Sequence, residues 1–230
     1  MKTLIIIPAY NEADNILEVA RSVAAAGYDY IIINDGSTDN TLAICKTNDL
    51  NVLDLPENLG IGGAVQAGHK YAYTHGYDAD IQFDGDGQHD VHHIPLLVED
   101  ITRGNDLIIG SRFLVDTEGF SSSFMRRVGI KWLSFLIKIF TKTRITDPTS
   151  GFRACGKRSI ELFCKSYPVD YPEPESIVSA IKNGLRVKEI SVIMHERQGG
   201  SSSIKAFSSI YYMLKVSLAI AIIGFTKKEN

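Results

Sequence analysis

Short apolar runs alternate with amphipathic stretches through the first half of the chain. Residues 4–7 are continuously apolar and closed by Pro8, as in a strand buried on both faces. Residues 15–26 carry Ile16, Leu17, Ala20, Val23 and Ala24 on one helical face, with Gly27 as the stop. Residues 30–33 form a second buried run, closed by NDGSTDN, and a helix over 40–47 can be capped by Thr38 or Asp39. A short strand at 52–55 precedes a glycine-opened helix that ends at Gly76. Strands at 81–83 and 107–109 flank a helical stretch at 91–103. Strand and helix in turn predict an α/β fold, a doubly wound, mostly parallel sheet flanked by helices. The GxGG at Gly60–Gly63 follows the third strand and reads as close packing rather than a dinucleotide loop.

The second half is less regular. Residues 124–142 set Val128, Trp132, Phe135, Leu136, Ile139 and Phe140 on a wide apolar face, with Arg126, Arg127, Lys131, Lys138 and Lys142 opposite. DPTSGFR is a turn opening a short strand or loop. A helix over 174–183 stops at Gly184, a half-buried strand spans 186–194, and a last helix runs over about 204–224. The boundaries that follow are a main domain over 1–205 and a C-terminal apolar helix with a polar tail over 206–230.

Ligands of open α/β sheets bind at the carboxyl ends of the strands, so PAYNE, NDGSTD, DGDGQHD and GSR should line one crevice. DGDGQHD, residues 84–90, carries the most specific chemistry. Asp84 and Asp86 are one residue apart, so in an extended tip their carboxylates point to one side. Gly85 and Gly87 leave room for a close partner. With the Gln88 carbonyl, these oxygens suit Mg²⁺ or Mn²⁺. His89, His92 and His93 read as solvated loop and helix-start side chains.

Composition narrows the picture further. A chain of 230 residues with 44% hydrophobic residues suits a globular core, and a net charge of −3 gives no case for nucleic acid. Cys45, Cys155 and Cys164 lack metal spacing, which fits a reducing cytoplasm. The opening MKTLIIIPAYNEAD lacks the apolar core and cleavage site of a leader. No stretch approaches the ~20 uncharged apolar residues of a spanning helix.

Taken together and in order, PAYNE, NDGSTDNT, NLGIGGAVQAG, the D-x-D with Gln88, GSR, DPTSGFR and ERQGGSSS carry a resemblance. Over about residues 3–205 the chain resembles the family 2 inverting glycosyltransferases of the GT-A fold, among them the polyprenyl-phosphate sugar synthases. The resemblance implies that Pro8, Tyr10 and Glu12 border the base and ribose. It also implies that Asp35, with Ile33 before it, holds the base, and that Asp84 and Gly85 meet the nucleotide sugar. Asp84, Asp86 and Gln88 would hold the metal. Arg112 and Arg197 would neutralise diphosphate or acceptor phosphate. Asp147 would act in catalysis or site organisation. Glu175 keeps a spacing of 22 positions to Arg197 and would face the reaction centre, with Glu173 nearer the helix start.

The implied reaction is a single inverting displacement on a nucleotide sugar, with a UDP-sugar favoured over a GDP-sugar. If the acceptor is polyprenyl phosphate, Arg112, Arg126 and Arg127 are the residues to hold its phosphate, at the inner face of the cell membrane. The helices at 124–142 and 204–225 would lie in the interface as peripheral anchors. A small membrane-protein partner and self-association are the further partners this suggests. The alternative acceptor is a sugar hydroxyl of a growing polysaccharide, which needs a general base where a phosphate does not.

Overall fold

The structure, a computed structural model, describes residues 1–114, 124–194 and 206–225. In chain order its elements are β1 (Thr3–Ala9), α1 (Ile16–Ala25), β2 (Asp29–Asn34), α2 (Thr41–Thr47), β3 (Val52–Asp54), α3 (Gly60–Thr74) and β4 (Ala79–Gln82). Then follow α4 (Ile94–Thr102), β5 (Leu107–Ser111), α5 (Phe124–Thr141), β6 (Arg153–Gly156), α6 (Lys157–Lys165), α7 (Pro172–Lys182), β7 (Val187–Ser191) and α8 (Ala206–Phe225). The strands form one sheet in the order β3-β2-β1-β4-β6-β5-β7.

Alternate residues of β1 and β2 face opposite layers, as the period of a strand requires. Leu4, Ile6, Ile31 and Ile33 face a layer built from α3, α5, α6, α7 and α8. Ile5, Ile7 and Ile32 face α1, α2 and α4. Val216 and Ile220 of α8 are wholly buried in the first layer, beside Leu133 and Ile137 of α5. Gly68 of α3 allows the helix onto the sheet, since a Cβ there would stand 2.3 Å from Ile6 Cγ2. Gly62 meets the chain at Pro168, where a Cβ would be 2.0 Å from the carbonyl oxygen. The glycine-rich stretch therefore serves packing.

Two features differ from expectation. The first is β6, which runs antiparallel between β4 and β5, pairing Arg153 with Gln82 and with Ile109. Its first residue thus reaches the edge where the parallel strands end. The second is α6, a nine-residue amphipathic helix with Ile160 and Phe163 turned inward, which is absent from the elements expected of the sequence. Smaller shifts occur at ends. Asp90 accepts from the His92 N–H and caps a 3₁₀ turn at Val91–His93, so α4 begins at Ile94. Among the described residues no helix is long and apolar enough to cross a membrane.

Candidate active site

The loops after β1 and β2 interlock. Asn11, in the left-handed region at φ 57, accepts the Thr38 N–H at 2.8 Å through its side chain. The Glu12 N–H donates to Thr41 Oγ1 at 2.9 Å. This leaves Tyr10 half exposed at the sheet edge. Pro8 is buried and meets Gly85 through its carbonyl, 3.1 Å from where a Cβ would be. The space left by Gly85 is thus filled by the protein itself. Asp35 is buried, and its Oδ1 accepts the Leu59 N–H at 2.7 Å, beside the start of α3. Burial pushes its pKa up, against the pull of the Leu59 and Gly60 amides. Ile33, expected beside the base, is wholly buried in the core. Its side chain packs in the core, two residues before Asp35.

Asp84 leaves the end of β4 with its carboxylate partly exposed and Oδ1 accepting from Gln82 Nε2 at 3.1 Å. Asp86 is buried, and its Oδ1 accepts the Gln88 N–H at 3.1 Å. Gly151 faces Asp84: a Cβ there would stand 2.9 Å from Asp84 Oδ2. His89 corrects the expectation of a solvated histidine. It is buried, stacked on Phe152 with ring centroids 4.6 Å apart, and its Nδ1 accepts the Asp84 N–H at 3.0 Å. The hydrogen of the neutral ring then lies on Nε2, which faces Asp84 Oδ2 at 3.5 Å. Burial holds its pKa below the usual imidazole value, against the attraction of Asp84 and Asp86. His92 is exposed, whereas His93 Nε2 accepts the Ile193 N–H at 3.2 Å.

Arg112 follows β5 and is gripped by Asp147. Nε and Nη2 donate to Oδ2 and Oδ1, each at 2.7 Å, and the Arg112 N–H adds a bond of 3.1 Å. Asp147, expected among the catalytic residues, is wholly buried with both oxygens engaged. It fixes the plane of Arg112. Glu189 of β7 fixes Asp147 in turn, accepting the Thr146 and Asp147 N–H groups at 2.8 Å.

Arg153 was not singled out in the sequence. It is buried, and it donates to the carbonyls of Ser150, Pro148 and Glu173 and to Ser176 Oγ. One buried cation thereby ties the DPTS turn to the first turn of α7.

That turn sets the two glutamates, Glu173 and Glu175, in different surroundings. Tyr171, at φ 51, starts α7 two residues earlier than the sequence suggested. Residues two apart on a helix point ~200° apart, so only one of the pair can face the site. Burial pushes the Glu173 carboxyl up, and the charges it senses are Arg153, Asp84 and Arg112. Glu175 senses Lys215 and Asp170 instead, and burial pushes it up to about 7. The carboxylate turned toward the cluster is Glu173.

Helices α5 and α8 complete this side. Arg126 of α5 is exposed as a residue, and desolvation of its guanidinium with the charge of Arg112 holds it below its ordinary pKa. Arg127, beside it, is exposed. Tyr212 of α8 packs edge-on against Tyr171 at 4.5 Å. Arg197, expected to meet phosphate, lies outside the described residues.

Among the described residues, three ligating side chains within 4.8 Å of one another occur elsewhere, at His69, Asp80 and Cys155. His69 Nδ1 and Asp80 Oδ2 are 2.7 Å apart, a hydrogen bond. Burial pushes the Cys155 thiol well up, which keeps it protonated. This is a core cluster between α3 and the sheet, distinct from the strand-end carboxylates.

The glycosyl transferase family 2 pattern matches residues 4–163. The UDP-N-acetylglucosamine–dolichyl-phosphate N-acetylglucosaminyltransferase of Methanococcus voltae is 29% identical over 239 residues, covering 93% of this chain and 95% of that protein. The undecaprenyl-phosphate mannosyltransferase of Micrococcus luteus is 30% identical over 218 residues, covering 89% and 88%. The fold is similar to glucosyl-3-phosphoglycerate synthase from Mycobacterium tuberculosis, crystallised with Mn²⁺, UDP and phosphoglyceric acid. That likeness has a TM-score of 0.72 at 16% identity over 100% of this chain and 80% of that one. With a GT-A sheet, carboxylates at the end of β4 and this match, the chain belongs to glycosyl transferase family 2 and is a glycosyltransferase.

Proposed function

We propose that this glycosyltransferase moves a sugar from a nucleotide sugar, a UDP-sugar first, to polyprenyl phosphate at the inner face of the cell membrane. The observation that carries the reading is the join between a cationic cluster and an apolar surface. Arg126 of α5 senses the charges of Arg112 and Asp147, and the same helix exposes Met125, Val128, Trp132, Phe135 and Ile139. A phosphate at the cluster could leave its isoprenoid chain along that surface. The relatives named for dolichyl and undecaprenyl phosphate support the acceptor, and the UDP-sugar of the first supports the donor.

The residues present fit a hard divalent cation. Asp84, Asp86 and the Gln88 side-chain carbonyl are oxygen donors of the kind Mg²⁺ and Mn²⁺ take. Gly151 lets the DPTSG turn approach the Asp84 carboxylate, where a Cβ would stand 2.9 Å from Oδ2. When bound, the cation supplies positive charge to the leaving diphosphate. The remaining roles belong to side chains. Arg112, whose plane Asp147 fixes through Nε and Nη2, places its positive charge beside the phosphate oxygens. Tyr10, Glu12 and Asp35 border the nucleotide, and Glu173 orients the sugar between Arg153 and Arg112. The acceptor phosphate has a second pKa of about 6 and is already anionic, so no general base is needed. Inversion follows from one displacement.

The test is incubation with UDP-glucose, UDP-N-acetylglucosamine or GDP-mannose, undecaprenyl phosphate, and Mg²⁺ or Mn²⁺, followed by mass analysis of the lipid. A lipid-linked sugar is expected, lost in EDTA and in Asp86→Ala. Transfer to a sugar alcohol as fast as to the lipid phosphate would overturn the acceptor. Full activity in excess EDTA would overturn the metal.

A further inference from the structure

The C-terminal helix has two faces with different company. Tyr211, Leu214, Leu218, Ile222 and Phe225 are exposed along one side of α8. Tyr212, the next residue after Tyr211, turns inward. Its ring packs edge-on against Tyr171, the left-handed residue that starts α7. The charges that act on its hydroxyl are the site's own: Glu173 of α7, Arg126 of α5 and Arg153 of β6. Arg126 in turn senses Tyr212 together with Arg112 and Asp147. Among the described residues the hydroxyl has no hydrogen-bond partner. A half-buried phenol at the start of α7, within the field of two guanidinium groups and a carboxylate, can donate its O–H to an anion.

We propose that Tyr212 is an acceptor-binding residue, its hydroxyl donating a hydrogen bond to an oxygen of the acceptor phosphate that Arg126 and Arg112 neutralise. The inference rests on the polyprenyl-phosphate reading above. Three further observations favour it. Burial and the neighbouring Glu173 push the Tyr212 pKa up, so the donor keeps its hydrogen at every working pH. The Lys215–Asp170 ion pair, one turn along α8, ties the helix to the segment that leads into α7. Finally, Tyr212 is half-buried while Tyr211, beside it, lies on the outer apolar face. A phosphate bound to Tyr212 is thus within a helix width of the surface where an isoprenoid chain would rest. The C-terminal helix would then be part of the site and not only an anchor.

The experiment is steady-state kinetics on the full chain. Undecaprenyl phosphate in detergent micelles is varied against the nucleotide sugar that the wild type turns over, and then the reverse. Tyr212→Phe should raise KM for the lipid phosphate about tenfold, the scale of one hydrogen bond to a charged oxygen. KM for the nucleotide sugar should stay at its wild-type value, which also reports an intact fold. Arg126→Ala should raise the same KM. The double variant should fall short of the product of the two effects, because both groups hold one phosphate. An unchanged lipid KM in Tyr212→Phe overturns the proposal. So does an equal rise in both KM values, which marks the hydroxyl as structural. Should the wild type prefer a sugar alcohol to undecaprenyl phosphate, the acceptor reading fails first and this inference with it, an outcome visible before any variant is made.

Discussion

Asp147 engages both carboxylate oxygens on Arg112, so removing it strands a buried cation. Breaking such a pair from one side costs about 3–5 kcal/mol. Asp147→Ala should therefore lower the urea midpoint sharply as well as the rate, and a variant as stable as wild type would contradict the geometry. The two glutamates of α7 should separate cleanly. Glu173→Gln is expected to lower kcat about 10²-fold, the scale of a misplaced reacting group, whereas Glu175→Gln should leave kcat near its wild-type value. Glu175 has a different signature. Its pKa rises from the ordinary 4.5 to about 7 on folding, through burial. Between those values the folded chain holds a proton that the unfolded chain releases, so stability falls as pH rises through that window. Glu175→Gln removes this loss. Its melting temperature should gain on wild type between pH 5 and pH 8, and parallel pH curves would sink the assignment. Asp84, Asp86 and Arg112 were legible in the sequence because strand ends converge on one edge of an open sheet. Glu173 was not, because the phase of α7 is set by Tyr171 in a conformation that no periodicity announces. Nor was His89, whose burial depends on Phe152 from a distant turn.

At the scale of elements, α5 and α8 run parallel in close contact. Gly129 of α5 faces Met213, Trp132 Nε1 donates to Ser217 Oγ at 3.0 Å, and Phe140 lies against Gly224 and Phe225. A Cβ at Gly224 would stand 2.4 Å from Phe140 Cδ1. Gly224→Val should thus overpack the pair and cost about 1–3 kcal/mol, read as a lower melting temperature. A neutral result would mean that the helices are not held at this distance. Both helices were readable from their apolar stripes to within about two residues. Their pairing was not, because a stripe says that a face is covered without saying by what. The antiparallel β6 was hidden for a similar reason: four residues opening on Arg153 look like a loop until that arginine is seen satisfied in the interior.

At the scale of the molecule, charge and apolar surface are distributed unevenly. The net charge is −3, yet α5 holds Arg126, Arg127, Lys131 and Lys138 and no acidic residue, and α8 holds Lys215 alone. These helices also expose Met125, Trp132, Phe135, Leu214, Leu218 and Phe225. An acidic protein with one cationic, apolar face should meet an anionic bilayer with that face and turn the rest away. We predict that it floats with phosphatidylglycerol vesicles and is released by high salt. Each basic residue near an anionic surface contributes about 1 kcal/mol, so Lys131→Ala with Lys138→Ala should weaken binding roughly 30-fold. Trp132 is the only tryptophan and is half exposed on this face, so its emission should shift blue on docking. Self-association or a small membrane-protein partner would cover the same residues, and ultracentrifugation separates these cases. A protein that stays off anionic vesicles as a monomer, with Trp132 emission unchanged by lipid, would remove the bilayer from the function. Flotation that ignores both lysines would keep the bilayer and move the contact to another face.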